Sequence, residues 1–262
     1  MGGLELVEDA GGVVVRLDER DQSHVDLDDP RRLVFDYVQR LAEALDAWGV
    51  PGEPVRVVHV GGGGLTLPRY VAATRPRSAQ VVLEPDTELT EEVRRVLPLP
   101  ARSGIKVRPV DGRAGVAALR PAYAEVVVVD AFADGRLPAS LVGEDFWGDV
   151  ARVLEPDGWL LLNLSDRAPW QHTRRVLAGV RAHLPHLLLT AEPATLKGRR
   201  AGNLVLVASR GEVPTERLRE RARRAGLPTR VLDAGAVADA FGGGTAFTDD
   251  AEPGPDHRDF AG

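Results

Sequence analysis

The 262 residues contain no cysteine. Disulfides, thiolate zinc sites and a cysteine nucleophile are thereby excluded together. Lysine is nearly missing as well: Lys106 and Lys197 stand among 33 basic residues, and the others are arginine, a bias of a high-GC genome rather than of function. Positive charge is not in excess either, because 39 acidic residues leave a formal net charge of -6. A phosphate-backbone partner favours a basic surface, so no nucleic acid is expected. No segment approaches the ~18 uninterrupted apolar residues of a membrane-crossing helix. The opening MGGLELVEDAGG is acidic, no membrane partner is expected, and the expectation is a soluble, cytoplasmic protein. No internal repeat is present.

What is present is a glycine-rich nucleotide-binding pattern. The stretch VRVVHVGGGGLTLPRYVAATRPRSAQVVLE runs from Val55 to Glu84. An apolar run enters Gly61, Gly62, Gly63 and Gly64, a helix-like segment follows, and a second apolar run ends on Glu84. Glycines at a strand exit let the backbone approach a ligand where a Cβ would collide, and an acid about 20 residues on is placed to accept from a ribose diol. Here the separation from Gly61 to Glu84 is 23 residues. The Lys-Ser/Thr pair of a nucleoside-triphosphate loop does not follow the glycines. An adenosyl ligand without phosphates needs no such lysine.

The rest of the chain alternates in the same manner. Short runs near 4–7, 12–17 and 22–27, separated by turn-rich residues, predict a small antiparallel β unit over residues 1–28. A helix is predicted with Pro30 just inside its start, Asp28 or Asp29 as cap, and Val34, Val38, Leu41, Leu45 and Trp48 on one face. Strands at 55–60, 80–83, 105–107, 125–129 and 159–164 then alternate with helices. A helix at 170–184, strands at 187–190 and 203–208 and a last amphipathic helix at 215–224 complete the pattern. The expected fold is α/β, a seven-stranded, mostly parallel sheet with helices on both faces, spanning residues 29–240. Residues 241–262 form an acidic, Gly- and Pro-containing tail, either disordered or folded against the domain.

In such a sheet ligands bind outside the carboxyl ends of the strands. Successive exits carry Gly61 to Gly64, then Glu84 and Asp86, then Asp111 and Gly112, then Asp130 and Asp134. Glu84 would bind the ribose, Asp111 would accept from an adenine amino group, and Asp130 would face the reactive end. A lone strand-end Asp caps a helix more often than it binds a ligand; four consecutive exits with fitting chemistry favour nucleotide binding.

These residues resemble the spermidine synthase family, whose catalytic domain has a Rossmann-like methyltransferase fold. The resemblance covers about 22–209 and rests on VGGGG at 60–64 with Arg69, VVLEPD at 81–86, VDGRAG at 110–115 and VVVVDAF at 126–132. The following LVGEDFWGDVARVLEPDGWLLLNL looks like that family's segment after the catalytic loop. It implies aminopropyl transfer from decarboxylated S-adenosylmethionine to a small-molecule amine, with Glu84 on the ribose, Asp111 on the adenine and Asp130 beside the transferred group. A homodimer is among the assemblies it implies. Three positions depart from the pattern. Gly64 stands where aminopropyltransferases usually carry an Asp for the donor's amine. Ala133 stands where a second loop Asp is usual, with Asp134 one residue later. RRLVFDYVQRL replaces the polyamine-binding Glu-Tyr-His stretch, with Tyr37 as its remnant.

Alkyl transfer from a sulfonium needs in-line positioning and a carboxylate that takes a proton from the attacking ammonium. Asp130 is the expected base, and Asp134 would hold a second ammonium. Gln22, Ser23 and His24 are expected to pair within the N-terminal unit rather than overhang the pocket. Asp249 and Asp250 are expected to be solvated in the tail, the alternative being cation binding. His59 is expected buried and hydrogen-bonded. His183 and His186 lack a third ligand at sensible spacing, so no metal is expected. Trp147 and Trp159 fit a core, while Trp170 would either pack or wall the acceptor pocket. Two other functions remain open: a methyltransferase using intact S-adenosylmethionine, made plausible by Gly64, and a non-catalytic nucleotide-binding or interaction protein.

Overall fold

A computed structural model of the chain describes residues 4–9, 11–17, 20–133 and 135–249. Three strands, β1 (Leu4–Asp9), β2 (Gly12–Leu17) and β3 (Arg20–Val25), form an antiparallel meander. Val15 and Val25 are its buried hydrophobic residues, and they pack with Leu65, Val82, Val93 and Leu97 of the main body.

The main body alternates as α1 (Asp36–Ala47), β4 (Arg56–Val60), α2 (Thr66–Thr74), β5 (Ala79–Leu83), α3 (Thr87–Val96), β6 (Ile105–Arg108), α4 (Gly112–Ala117) and β7 (Ala124–Val129). After a loop come α5 (Glu144–Val153), β8 (Leu154–Asp166), α6 (Gln171–His183), β9 (His186–Ala191), α7 (Pro193–Leu196), β10 (Gly202–Ser209), α8 (Thr215–Arg224), β11 (Arg230–Leu232) and α9 (Ala234–Phe241). The sheet order is β11-β9-β10-β8-β7-β4-β5-β6. Pairings from β6 across to β8 are parallel, and those joining β8, β10, β9 and β11 are antiparallel.

Burial on both faces explains why the strands read as near-continuous apolar runs. On β7, Val127 and Val129 face the layer that holds Phe146 and Trp147 of α5, whereas Val126 and Val128 face Leu41 and Leu45 of α1. Truncating a fully buried aromatic such as Phe146 would cost about 3–5 kcal/mol.

Four expectations need correction. The sheet has eight strands rather than seven, because β11 is too short to show alternation and exists through its pairing with β9, Val231 opposite Thr190. Helix α1 begins at Asp36, not near Pro30. Asp26 Oδ1 accepts from the N–H groups of Asp28 and Asp29 and Asp29 Oδ1 accepts from Arg31, so these aspartates spend themselves on turns rather than on a helix cap. A further helix, α9, follows α8, capped by Asp233 accepting from Ala236 N–H at 3.0 Å. Finally, Asp249, expected to be solvated, is engaged, because residues 242–249 take the second of the two courses open to the tail and lie against the domain. Phe247 bridges Gly143 and sits under the Arg175 guanidinium at 3.8 Å, and Asp249 accepts from Asp145 N–H at 3.2 Å.

Candidate active site

β4 is flanked by β5 on one side and β7 on the other. The crossovers therefore diverge at its carboxyl end, which opens a crevice there. Three main-chain bonds stitch the exits together: Gly61 N–H donates to Leu83 O, Asp130 N–H to Val60 O, and Glu84 N–H to Arg108 O, at 2.9–3.1 Å. Gly61 has φ +95°, and a Cβ on it would lie 2.4 Å from the Asp130 carbonyl oxygen. Only glycine satisfies both the conformation and the contact.

Next along the loop, Gly62 N–H donates to Glu84 Oε2 at 2.8 Å, and Glu84 Oε1 accepts from Asp86 N–H at 3.0 Å. Each carboxylate oxygen keeps a second acceptor site, which suits a diol. Asp111 is exposed at the start of α4, where Oδ1 accepts from Ala114 N–H at 3.0 Å. Asp86 caps α3 in the same way through Leu89 N–H. The capping role weighed from sequence is thus present in both, and Asp111 also lines the cavity.

Gly61, Gly62, Gly63, Glu84, Asp111, Gly112 and Asp130 border one cavity of about 410 Å³. Gly64 does not line it. Its N–H donates to Ser23 Oγ at 3.0 Å, and a Cβ there would lie 2.9 Å from Ser23 Cβ and 3.1 Å from methyl groups of Val15 and Val25. The N-terminal sheet fills the space a side chain at position 64 would need. Gln22 and Ser23 line the cavity instead, a correction to the expectation that they only pair within their own sheet. His24 follows that expectation: it is buried, stands opposite Val14 of β2 and has its ring Nε2 3.3 Å from Asp9 Oδ1.

Asp130 faces the cavity from the exit of β7. Burial pushes its carboxyl up to about 6, opposed by a hydrogen bond from Asn163 Nδ2 at 2.9 Å. Asn163 is fully buried in β8, and its Oδ1 accepts from Asn203 Nδ2 at 3.1 Å. Tyr37 of α1 also lines the cavity, and burial together with the nearby Asp130 charge holds its phenol well above the usual value. His59 lines the cavity with its ring on Gln80 Oε1 at 2.9 Å. Burial holds His59 down to about 4, against that hydrogen bond, so it is a neutral wall residue at physiological pH.

Asp134, expected beside Asp130, and Asp250 lie outside the described residues. Asp249 is engaged at the start of α5, with Arg113 at 3.8 Å. Trp170 packs on Phe241, ring centroids 6.0 Å apart, and does not border the cavity. Arg69 is buried, donating to the main-chain oxygens of Leu97 and Pro98. It ties α2 to the end of α3. Among the described residues no group of three or more His, Asp or Glu is arranged to hold a metal ion, and no helix is long and apolar enough to cross a membrane.

A probable spermidine synthase from Corynebacterium glutamicum superposes with a TM-score of 0.89 at 28% identity, over 96% of this chain and 94% of that one. The chain resembles the spermidine synthase family. A polyamine aminopropyltransferase of Chromobacterium violaceum is 27% identical to this chain over 143 residues, 54% of the chain and 53% of the relative. The match thus spans about half the length of that curated relative. The methyltransferase-like fold is shared with human methyltransferase-like protein 13, solved in complex with SAH, with a TM-score of 0.59 at 22% identity over 83% of this chain and 97% of that one. No protein-family model matches the chain.

Three functional candidates escaped sequence reasoning: Asn163, Asn203 and Ser140, the last bordering the cavity from the loop after β7. For the first two a signal existed. Asn163 interrupts LLLNLSD, an apolar run in which an amide is out of place unless bonded.

Proposed function

We infer that the chain transfers an aminopropyl group from decarboxylated S-adenosylmethionine to a small amine. The observation that carries this reading is the convergence of the glycine loop, Glu84 and Asp130 on one cavity, in a chain that resembles aminopropyltransferases by sequence and structure. Glu84 would hold the ribose diol, Asp111 the adenine amino group, and the flat glycine loop would admit the sulfonium.

The acceptor arrives as an ammonium. Asp130, ionised above about pH 6, takes one of its protons and frees the lone pair. That pair attacks the aminopropyl carbon bound to sulfur. The carbon–sulfur bond breaks, its electrons remain on sulfur, and neutral methylthioadenosine leaves. Tyr37 would wall the acceptor side, and Asp134 is proposed to bind a second ammonium. Ser23, whose Oγ accepts from Gly64, retains a hydroxyl proton at the place where a donor tail would lie.

The test is calorimetric titration of the purified chain with S-adenosylmethionine, its decarboxylated form and methylthioadenosine, followed by measurement of methylthioadenosine release with a diamine present. Preference for the decarboxylated donor with turnover is expected. Preference for the intact donor with a methylated product would replace this reading by a methyltransferase, and binding of none would leave an interaction protein.

A further inference from the structure

Asn163 and Asn203 sit where the sheet should be most apolar. On β8, Leu161 and Asn163 share the face that packs on α1, and on β10 the row Val207, Val205, Asn203 continues that face. Val205 is opposite Asn163, so Asn203 is its diagonal neighbour. Such diagonal pairs are within side-chain reach. Asn163 is fully buried and Asn203 half-buried.

An amide has a donor end and an acceptor end. Asn203 Nδ2 donates to Asn163 Oδ1 at 3.1 Å, and Asn163 Nδ2 donates to Asp130 Oδ1 at 2.9 Å. With its oxygen engaged by Asn203, Asn163 can turn only its N–H₂ towards Asp130. Rotated the other way, it would set a carbonyl oxygen against a carboxylate. The polarity of the first bond therefore dictates that of the second.

We propose that Asn203 and Asn163 are positioning residues that hold Asp130 in one rotamer, with Oδ1 tied down and Oδ2 directed to the incoming amine. The role rests on the reading of Asp130 as the base. Neither asparagine touches the reacting atoms. Because each bond in the chain favours the ionised carboxylate, loss of either donor raises the pH at which Asp130 titrates. The groups that bear on Asp130 are few among the described residues. Tyr37 faces it from α1 and, held well above its usual value, does not titrate in this range. His59 on β4, held down to about 4, and Glu84 and Asp111 at the exits of β5 and β6 line the same cavity.

The experiment is a ¹³C-carboxyl NMR titration of Asp130 in the ligand-free full chain, assigned with Asp130→Asn. It is run on wild type, Asn163→Leu, Asn203→Leu and the double variant, alongside the pH profile of kcat/KM for methylthioadenosine release. Leucine keeps the shape of asparagine and removes the donor. Asn163→Leu should raise the midpoint by roughly one pH unit and Asn203→Leu by roughly half as much, with the acid limb of the profile moving in step. The double variant should match Asn163→Leu alone, because Asn203 acts only through Asn163. An unmoved midpoint in Asn203→Leu, or shifts that add in full, would overturn the relay. If Asn163→Leu does not fold, Asn203→Leu alone decides, by whether its midpoint moves. The NMR reading needs no turnover. A relay with no aminopropyl transfer would therefore refute the functional reading alone, and transfer without the midpoint shift would refute the relay alone.

Discussion

At the glycine end of the cavity the polar groups are main-chain N–H groups and carboxylates within three residues of a strand exit. Glu84 is engaged by Gly62 and Asp86, and Asp111 caps the helix it opens. At the Asp130 end they are side chains at positions 37, 163 and 203, brought from α1, β8 and β10. The first end is local, partly exposed and assembled with the strands themselves. The second gathers around the fully buried Asn163 and draws on side chains from three separate elements. Ligand binding and proton transfer thus depend on different parts of the chain, and substitutions should separate them.

The largest effect is expected at Asp130. Asp130→Asn should lower transfer by roughly 10²- to 10⁴-fold while methylthioadenosine affinity, measured by calorimetry, changes little. The same variant should melt higher than wild type above pH 6. The folded carboxyl is raised to about 6 from 3.8, so its ionisation disfavours the folded state as pH rises through 6. A neutral amide removes that cost, and the gain should be roughly 1–3 kcal/mol at pH 8 and vanish below about pH 4. Equal melting at both pH values would show that the carboxylate is not desolvated.

Glu84→Ala should act at the other end. Loss of its acceptors should weaken methylthioadenosine binding by roughly 1.5–3 kcal/mol, with kcat at saturating donor changed far less than KM. A fall in kcat equal to that of Asp130→Asn would erase the distinction between the two ends.

Gly64→Asp places the residue usual in aminopropyltransferases into this chain. With Ser23 Cβ 2.9 Å from the new Cβ and two valine methyls at 3.1 Å, the substitution should cost roughly 1–3 kcal/mol in chemical denaturation and should not tighten the donor. Tighter donor binding with unchanged stability would mean that the N-terminal sheet yields easily.

The smallest effect separates the two roles of Asp111. Asp111→Ala should lose about 1 kcal/mol of stability with the cap, and Asp111→Ser should restore it. Methylthioadenosine affinity should fall in both. Affinity that recovers with the serine would leave Asp111 as a cap alone.

The same contrast explains what the sequence disclosed. Gly61 to Gly64, Glu84 and Asp111 were legible because strand, exit and carboxylate lie within a few residues, and the parallel order follows from alternation. Asp130 was legible as the residue closing VVVV. Asn163 and Asn203 left only the signal of a polar residue in an apolar strand, since the pairing that gives them meaning joins positions forty residues apart. Ser23 was placed in the wrong company for a similar reason. Its partner at Gly64 lies in the loop between β4 and α2, and no periodicity in either segment points to the other. β11 was missed because three residues show no period, and α1 was begun early because Asp28 and Asp29 signal turns and caps alike.

The strap formed by residues 242–249 bears on the order of assembly. Phe247 and Asp249 close on Gly143 and Asp145, just after the loop that supplies Ser140 and Leu141 to the cavity, across a separation of 104 residues. During synthesis at about 5–20 residues per second, the glycine loop can settle as soon as its neighbouring strands exist. The opposite wall must wait several seconds more for the strap to be made. A nascent chain arrested before residue 242 would therefore carry a shaped glycine loop beside a wall not yet fastened at Gly143 and Asp145.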